Sequence, residues 1–150
     1  MLVNLSNAVG ANVSIVDSQG FGTINNDDSA AVTIDDASGN EDDGPITVTA
    51  RLDNAVQGGF SVDLSTADGS ATIADGDYTA VNSTLTFTGA EGETQTITLT
   101  PTVDTVIEPD ESLSINQSNL SGTSLDVDIS GSAAVTINNC LLYTSPSPRD

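Results

Sequence analysis

From residue 30 onward, apolar and polar side chains alternate in short runs, as in AAVTI (30–34), ITVTARL (46–52) and FSVDLST (60–66). A period of two is the signature of a half-buried strand, and no stretch shows the 3.6-residue period of a helix. The pattern predicts seven strands, at 31–34, 46–52, 60–66, 84–88, 94–103, 112–117 and 133–138. Turn chemistry falls between them: Gly58-Gly59 before the third, Gly89 and Gly92 between the fourth and fifth, Pro109-Asp110 before the sixth. Seven short strands in about 110 residues predict an all-β fold, an immunoglobulin-like antiparallel β-sandwich.

The chain also repeats itself. SNAVGANVSIVDSQGFGTINN (6–26) returns as SNLSGTSLDVDISGSAAVTINN (118–139), and Thr23 and Thr136 are 113 residues apart. That period is the size of a whole β-domain, not of a short solenoid unit. The expected organisation is therefore residues 1–28 as the C-terminal hairpin of a preceding repeat, 29–139 as one full domain, and 140–150 as a tail foreign to the repeat. Separated from its own sheets, the segment 2–26 is expected to fray or to add onto an edge of the intact sandwich. The match ends at Cys140, where TINN runs into CLLYTSPSPRD. This string resembles a translated sequencing-library adapter, so Cys140 is given no redox role and the tail is expected to be non-native and disordered.

Charge narrows the chemistry. There are 22 Asp and Glu against two Arg, with no Lys or His, for a net charge of -20. Nucleic acid is excluded as a partner, because phosphate contacts need basic side chains. Catalysis through His and zinc sites built from Cys and His are excluded as well. No apolar run approaches the length needed to span a bilayer, so direct membrane insertion is not expected. Cations on carboxylates remain.

In an antiparallel sandwich, the loops after the first, third and fifth strands meet at one pole. Those three loops carry Asp35, Asp36, Glu41, Asp42, Asp43, Asp68, Asp75, Asp77, Asp104, Glu108, Asp110 and Glu111, whereas the other pole receives Asp53, Glu91, Glu93, Asp126 and Asp128. Two unit charges about 4 Å apart repel by on the order of 4 kcal/mol at an effective dielectric near 20. With no basic residue in these loops, a divalent cation is the economical counterion, and Ca²⁺ accepts oxygen ligands from flexible loops. Asp75 and Asp77 are assigned mainly to turn formation, and Asp110 to solvation beside Pro109.

The strings NEDDGPITVTARL (40–52), LSTADGSATIADGDY (64–78), TLTFTGAEGETQTITL (84–99), VIEPDESLSI (106–115) and AVTINN (134–139) resemble the Calx-β domain in order and spacing. Calx-β domains are calcium-binding sandwiches of sodium/calcium exchangers, integrin-associated proteins and long bacterial surface proteins. The resemblance implies Ca²⁺ as cofactor and Glu41, Asp68, Asp104, Glu108 and Glu111 as ligands, with Asp27 and Asp28 serving the preceding copy. Two positions depart from the family pattern: Val103 stands where tight-binding relatives have an acid, and the acidic run after the last strand is reduced to Asn138-Asn139. Both departures favour one or two weaker sites.

These readings lead to a non-enzymatic calcium-binding spacer, stiffened by metal, in a tandem-repeat extracellular or cell-surface protein acting in adhesion. Its expected partners are calcium ions and neighbouring repeats, beside an unidentified adhesive ligand. The alternatives are a regulatory calcium sensor attached to a transporter and an ancillary domain of a secreted hydrolase.

Overall fold

The computed structural model describes residues 1–139, so the tail from Cys140 lies outside the described residues. The strands are β1 (Leu2–Asn4), β2 (Gln19–Phe21), β3 (Ala30–Ile34), β4 (Ala37–Asn40), β5 (Ile46–Leu52), β6 (Phe60–Ala67), β7 (Asn82–Phe87), β8 (Thr94–Leu99), β9 (Glu111–Ser121), β10 (Val127–Asp128) and β11 (Ser132–Asn138). A 3-10 turn, Glu41–Asp43, follows β4. Nine of the strands build two sheets, ordered β10-β3-β5-β8 and β4-β11-β9-β6-β7, while β1 and β2 pair only with each other.

Alternation puts every second side chain into the space between the two sheets. Val32, Val48, Leu52 and Leu99 from the first sheet, and Val62, Leu64, Phe87, Ile115 and Val135 from the second, are almost completely buried. Each contributes about 1.5–3 kcal/mol of apolar burial. Phe60 and Phe87, cross-strand partners on β6 and β7, stack with ring centroids 5.1 Å apart and supply most of the aromatic packing.

All seven expected strands are present, with three informative differences. The first strand is followed by one that was not expected: after Ile34 the chain crosses between the sheets through Asp35-Asp36, and β4 then runs parallel to β11. Asp36 enables the crossing by accepting the Ala134 backbone N–H at 2.7 Å. The fifth strand stops at Leu99, short of the expected 103, because Pro101 has no N–H for a ladder and makes only an isolated bridge with Tyr78. The sandwich is also not wholly antiparallel, since β3–β10 and β4–β11 are parallel pairs.

The β1–β2 hairpin does not add onto a sandwich edge. Its register is Leu2↔Phe21, Val3↔Gly20 and Asn4↔Gln19. Carried across the internal repeat, these pairs become Ser114↔Ala134, Ile115↔Ala133 and Asn116↔Ser132, the register found between β9 and β11. The hairpin thus keeps the pairing that its repeat sequence specifies, as a separate two-stranded sheet. Its apolar side chains have no cover, with Val9 93%, Phe21 85% and Ile24 86% exposed.

At the pole away from most of the acids, Glu93 organises the β7–β8 turn. Its carboxylate accepts from the backbone N–H groups of Thr88 (3.0 Å), Gly89 (3.0 Å) and Ala90 (3.3 Å) and from the Thr88 hydroxyl (2.9 Å), which holds its pKa below the ordinary value. Replacing it strands several donors at once. Glu93→Ala is expected to lower unfolding stability by about 1–3 kcal/mol in urea titrations with an unchanged m-value, whereas Glu91→Ala in the same turn leaves stability within about 0.5 kcal/mol.

Candidate metal centre

Three loops deliver carboxylates to the pole where β4, β6 and β8 end. Glu41 opens the 3-10 turn after β4 and is the only buried charged side chain among the described residues, 8% exposed. Gly44, at φ 93°, closes that turn in a conformation that an L side chain rarely adopts. Asp104 sits in the β8–β9 loop and accepts the Val106 N–H at 2.7 Å, while Glu108 and Glu111 follow on the approach to β9.

The β6–β7 loop is held by its own polar groups. Asp68 accepts the Tyr78 hydroxyl at 2.6 Å and the Ile73 N–H at 3.2 Å. Tyr78 is buried, and its burial together with Asp68 pushes the phenol up to about 12, so it remains a donor. Gly69 lets the loop backbone approach Ser112, where a side chain would collide with the Ser112 carbonyl. Ser112 donates its N–H to Ser70 Oγ (2.8 Å) and accepts from Ala71 N (3.0 Å). These bonds align Asp77, itself braced by Thr72 N at 2.6 Å, with the β8–β9 loop.

As a result, oxygens of Asp77, Glu108 and Glu111 lie within 4.8 Å of one another. Glu41, Asp104 and Asn139 also line the same small cavity. The site residues anticipated from the sequence therefore separate. Glu41, Asp104, Glu108 and Glu111 come together; Asp68 lies outside the group as an anchor for Tyr78; Asp27 and Asp28 precede β3 on a different part of the chain.

Asp77, taken from sequence as a turn residue, is a central member of the cluster. Its signal was the Asp-Tyr pair itself: a buried Tyr78 bridged to Pro101 presents its neighbour to the β8–β9 loop. Asp110, expected to be solvated, accepts the Asn139 N–H at 3.1 Å and clips that loop to the end of β11.

Electrostatics shows what is missing. Glu41 is raised above its ordinary pKa by burial and then by Asp104, Asp42 and Glu108. Glu108 is raised by desolvation and then by Asp104, Asp77 and Asp75. Glu111 is raised by burial and then by the charge and hydrogen bond of Asp77, with further repulsion from Glu108 and Asp75. Arg51, the only basic side chain among the described residues, lies on β5 opposite Thr33 and Thr94, away from these loops. The donors are oxygens alone, without imidazole or thiolate. Such a set fits a hard divalent cation of the size of Ca²⁺, and Glu41, Asp77, Asp104, Glu108 and Glu111 are the residues that would hold it.

The model of the Calx-beta domain family matches residues 24–140. The chain belongs to the Calx-beta domain family. The fold is similar to that of the apo-form Calx CBD1 domain, with TM-score 0.64 and 22% identity over 75% of this chain and 98% of that one. It is also similar to CBD12 from CALX1.2 (TM-score 0.62, 21% identity, 73% of this chain) and to the calcium binding domain CBD12 of CALX1.1 (TM-score 0.59, 25% identity, 72% of this chain). The chain spans 44% of the length of each of these CBD12 chains. No curated protein matches it by sequence.

The pKa directions set a pH dependence. A carboxyl raised in the fold above 4.5 binds more protons folded than unfolded, so its contribution is most favourable below 4.5 and is lost as pH rises through the raised value. Asp63, Glu93 and Asp128 are lowered by hydrogen bonds, and their contribution is lost as pH falls through the lowered values. Metal-free protein is therefore expected to melt at higher temperature near pH 5 than at pH 7 and to lose stability again below about pH 3.5. Saturating calcium should reverse the first trend, because protons then compete for the ligands. Calorimetric melting across this range with EDTA and with calcium checks both signs.

Proposed function

We propose that this chain is a calcium-binding, non-enzymatic spacer module from a tandem array in an extracellular or cell-surface protein, in which metal stiffens the array. The observation that carries the reading is the convergence of Glu41, Asp77, Asp104, Glu108 and Glu111 at one pole with no basic side chain among the described residues to balance them. The similar CBD12 of CALX1.1 is a calcium binding domain by name, which supports the choice of ion.

The tandem arrangement is supported by the hairpin register. We assign residues 1–28 to the end of a preceding repeat and 29–139 to the domain proper. Between the TINN that closes the first copy and the start of β3 at Ala30 lie only Asp27, Asp28 and Ser29. Ser29 is tethered, its carbonyl accepting from Asn54 Nδ2 at 3.0 Å, and the start of β3 is held by the Ala31 N–H donating to Asp53 at 2.7 Å. In the second copy the equivalent of Asn26 is Asn139, which lines the carboxylate cavity. By that equivalence Asp27 and Asp28 would reach the metal pole of the preceding repeat, so bound ion and next domain would restrain each other. A calcium sensor working on a transporter would call for tighter binding than Val103, 60% exposed and without a carboxylate, allows.

Titration calorimetry with Ca²⁺ in low-salt buffer is expected to give a Kd of about 10⁻⁴ to 10⁻³ M, and ten times that concentration should stabilise the fold by about 1.4 kcal/mol per site. Asp77→Asn combined with Glu111→Gln should abolish the heat. No binding at millimolar calcium, or equal stabilisation by Mg²⁺ that disappears in about 0.5 M NaCl, would show that the pole only screens charge.

A further inference from the structure

The course of the first strand gives the domain a mechanical property. The chain enters at Ala30, runs along β3 between β5 and β10, crosses at Asp35-Asp36 and continues as β4 beside the last strand. Here β4 and β11 are parallel, with Ala37↔Val135, Ser38↔Thr136, Gly39↔Ile137 and Asn40↔Asn138 in register. Parallel pairing means that the entering segment and the leaving segment run the same way along the domain, so the two chain ends leave from opposite poles. Tension between neighbouring repeats then pulls β4 backward and β11 forward along a shared axis. All four residue pairs are loaded together in shear, whereas a hairpin pulled across its strands opens one pair at a time.

We propose that β4 and β11 form a shear clamp that carries tensile load through the array, and that calcium at the carboxylate pole closes the clamp's far end. The calcium part rests on the function proposed above; the clamp does not. Side chains brace both ends of the pair. Asp36 accepts from Ala134 N at 2.7 Å before the first register pair, and Asn138 Nδ2 donates to Asn40 Oδ1 at 3.5 Å at the last. Gln117, reaching across from β9, donates to the carbonyls of Val32 (2.8 Å) and Gly131 (3.0 Å), which couples β3 to the segment leading into β11. Glu41 follows directly on β4 and Asn139 directly on β11, and both line the cavity. An ion held there by Glu41 and the β8–β9 loop, to which Asp110 clips Asn139, would have to be released before the two strands could slide.

Single-molecule pulling of the full chain between marker domains tests this. In EDTA, pulling end to end should require about twofold or more the force needed when the same chain is pulled through cysteines placed at Gln57 and Glu91 in a Cys140→Ser background, a geometry that peels strands apart pair by pair. Asp36→Ala should lower the end-to-end force and leave the transverse force unchanged. Millimolar calcium should raise the end-to-end force, and Asp77→Asn with Glu111→Gln should remove that increment. Equal forces in the two directions in EDTA would overturn the clamp. Calcium binding by calorimetry without any rise in end-to-end force would overturn the calcium closure. Absence of calorimetric binding would count against the calcium function alone, with the clamp still decided by the direction dependence in EDTA.

Discussion

Like charges gathered in one place dominate this molecule. The fold directs the turns after β4, β6 and β8 to a common pole, where Asp77, Glu108 and Glu111 come within 4.8 Å of one another. Nothing basic among the described residues approaches them, and Glu41, Glu108 and Glu111 are shifted upward first by burial and then by the neighbouring carboxylates. A sandwich with few aromatic residues has limited burial energy to hold such a pole together unaided. A divalent cation bound there would turn the same repulsion into cohesion.

The rest of the architecture serves to bring those groups together without letting them collapse. Many of the acids sorted to this pole are not central ligands but fasteners or solvated neighbours. Asp36 pins the strand crossing, Asp68 anchors Tyr78, Asp43 accepts from Asn40, and Asp110 ties the long β8–β9 loop to Asn139. At the other pole Glu93 and Asp53 perform the same task for the β7–β8 turn and for the start of β3. An acidic chain with almost no basic partners thus satisfies many of its carboxylates through backbone N–H groups and neighbouring hydroxyl and amide groups.

Much of the fold was legible because period-two alternation and glycine turns are local signals. The run Ile46–Leu52 matches its strand residue for residue. By contrast β4, reading Ala-Ser-Gly-Asn, has no apolar alternation; it is a strand because β11 offers a partner edge, a long-range cause that local pattern cannot reveal. The long sixth strand was underread for a similar reason. It extends to Ser121 past a bulge opposite Val62 that puts Asn119 at φ 52°. The site was legible at the level of the pole, since strand direction alone sorts the loops. Which carboxylate points inward was not. Asp68 and Asp77 exchange their expected roles because a single buried hydroxyl, that of Tyr78, engages one and leaves the other facing Glu111.

The most direct measurement is a calcium titration followed residue by residue in ¹H–¹⁵N correlation spectra of the full chain. Shifts are expected at the amides around Glu41, Asp77, Asp104, Glu108, Glu111 and Asn139, with those of Asp53, Asp63, Glu93 and Asp126 nearly still. Perturbations spread over all the acidic residues in proportion to their exposure would contradict a defined metal centre and reduce the pole to a cloud of screened charge.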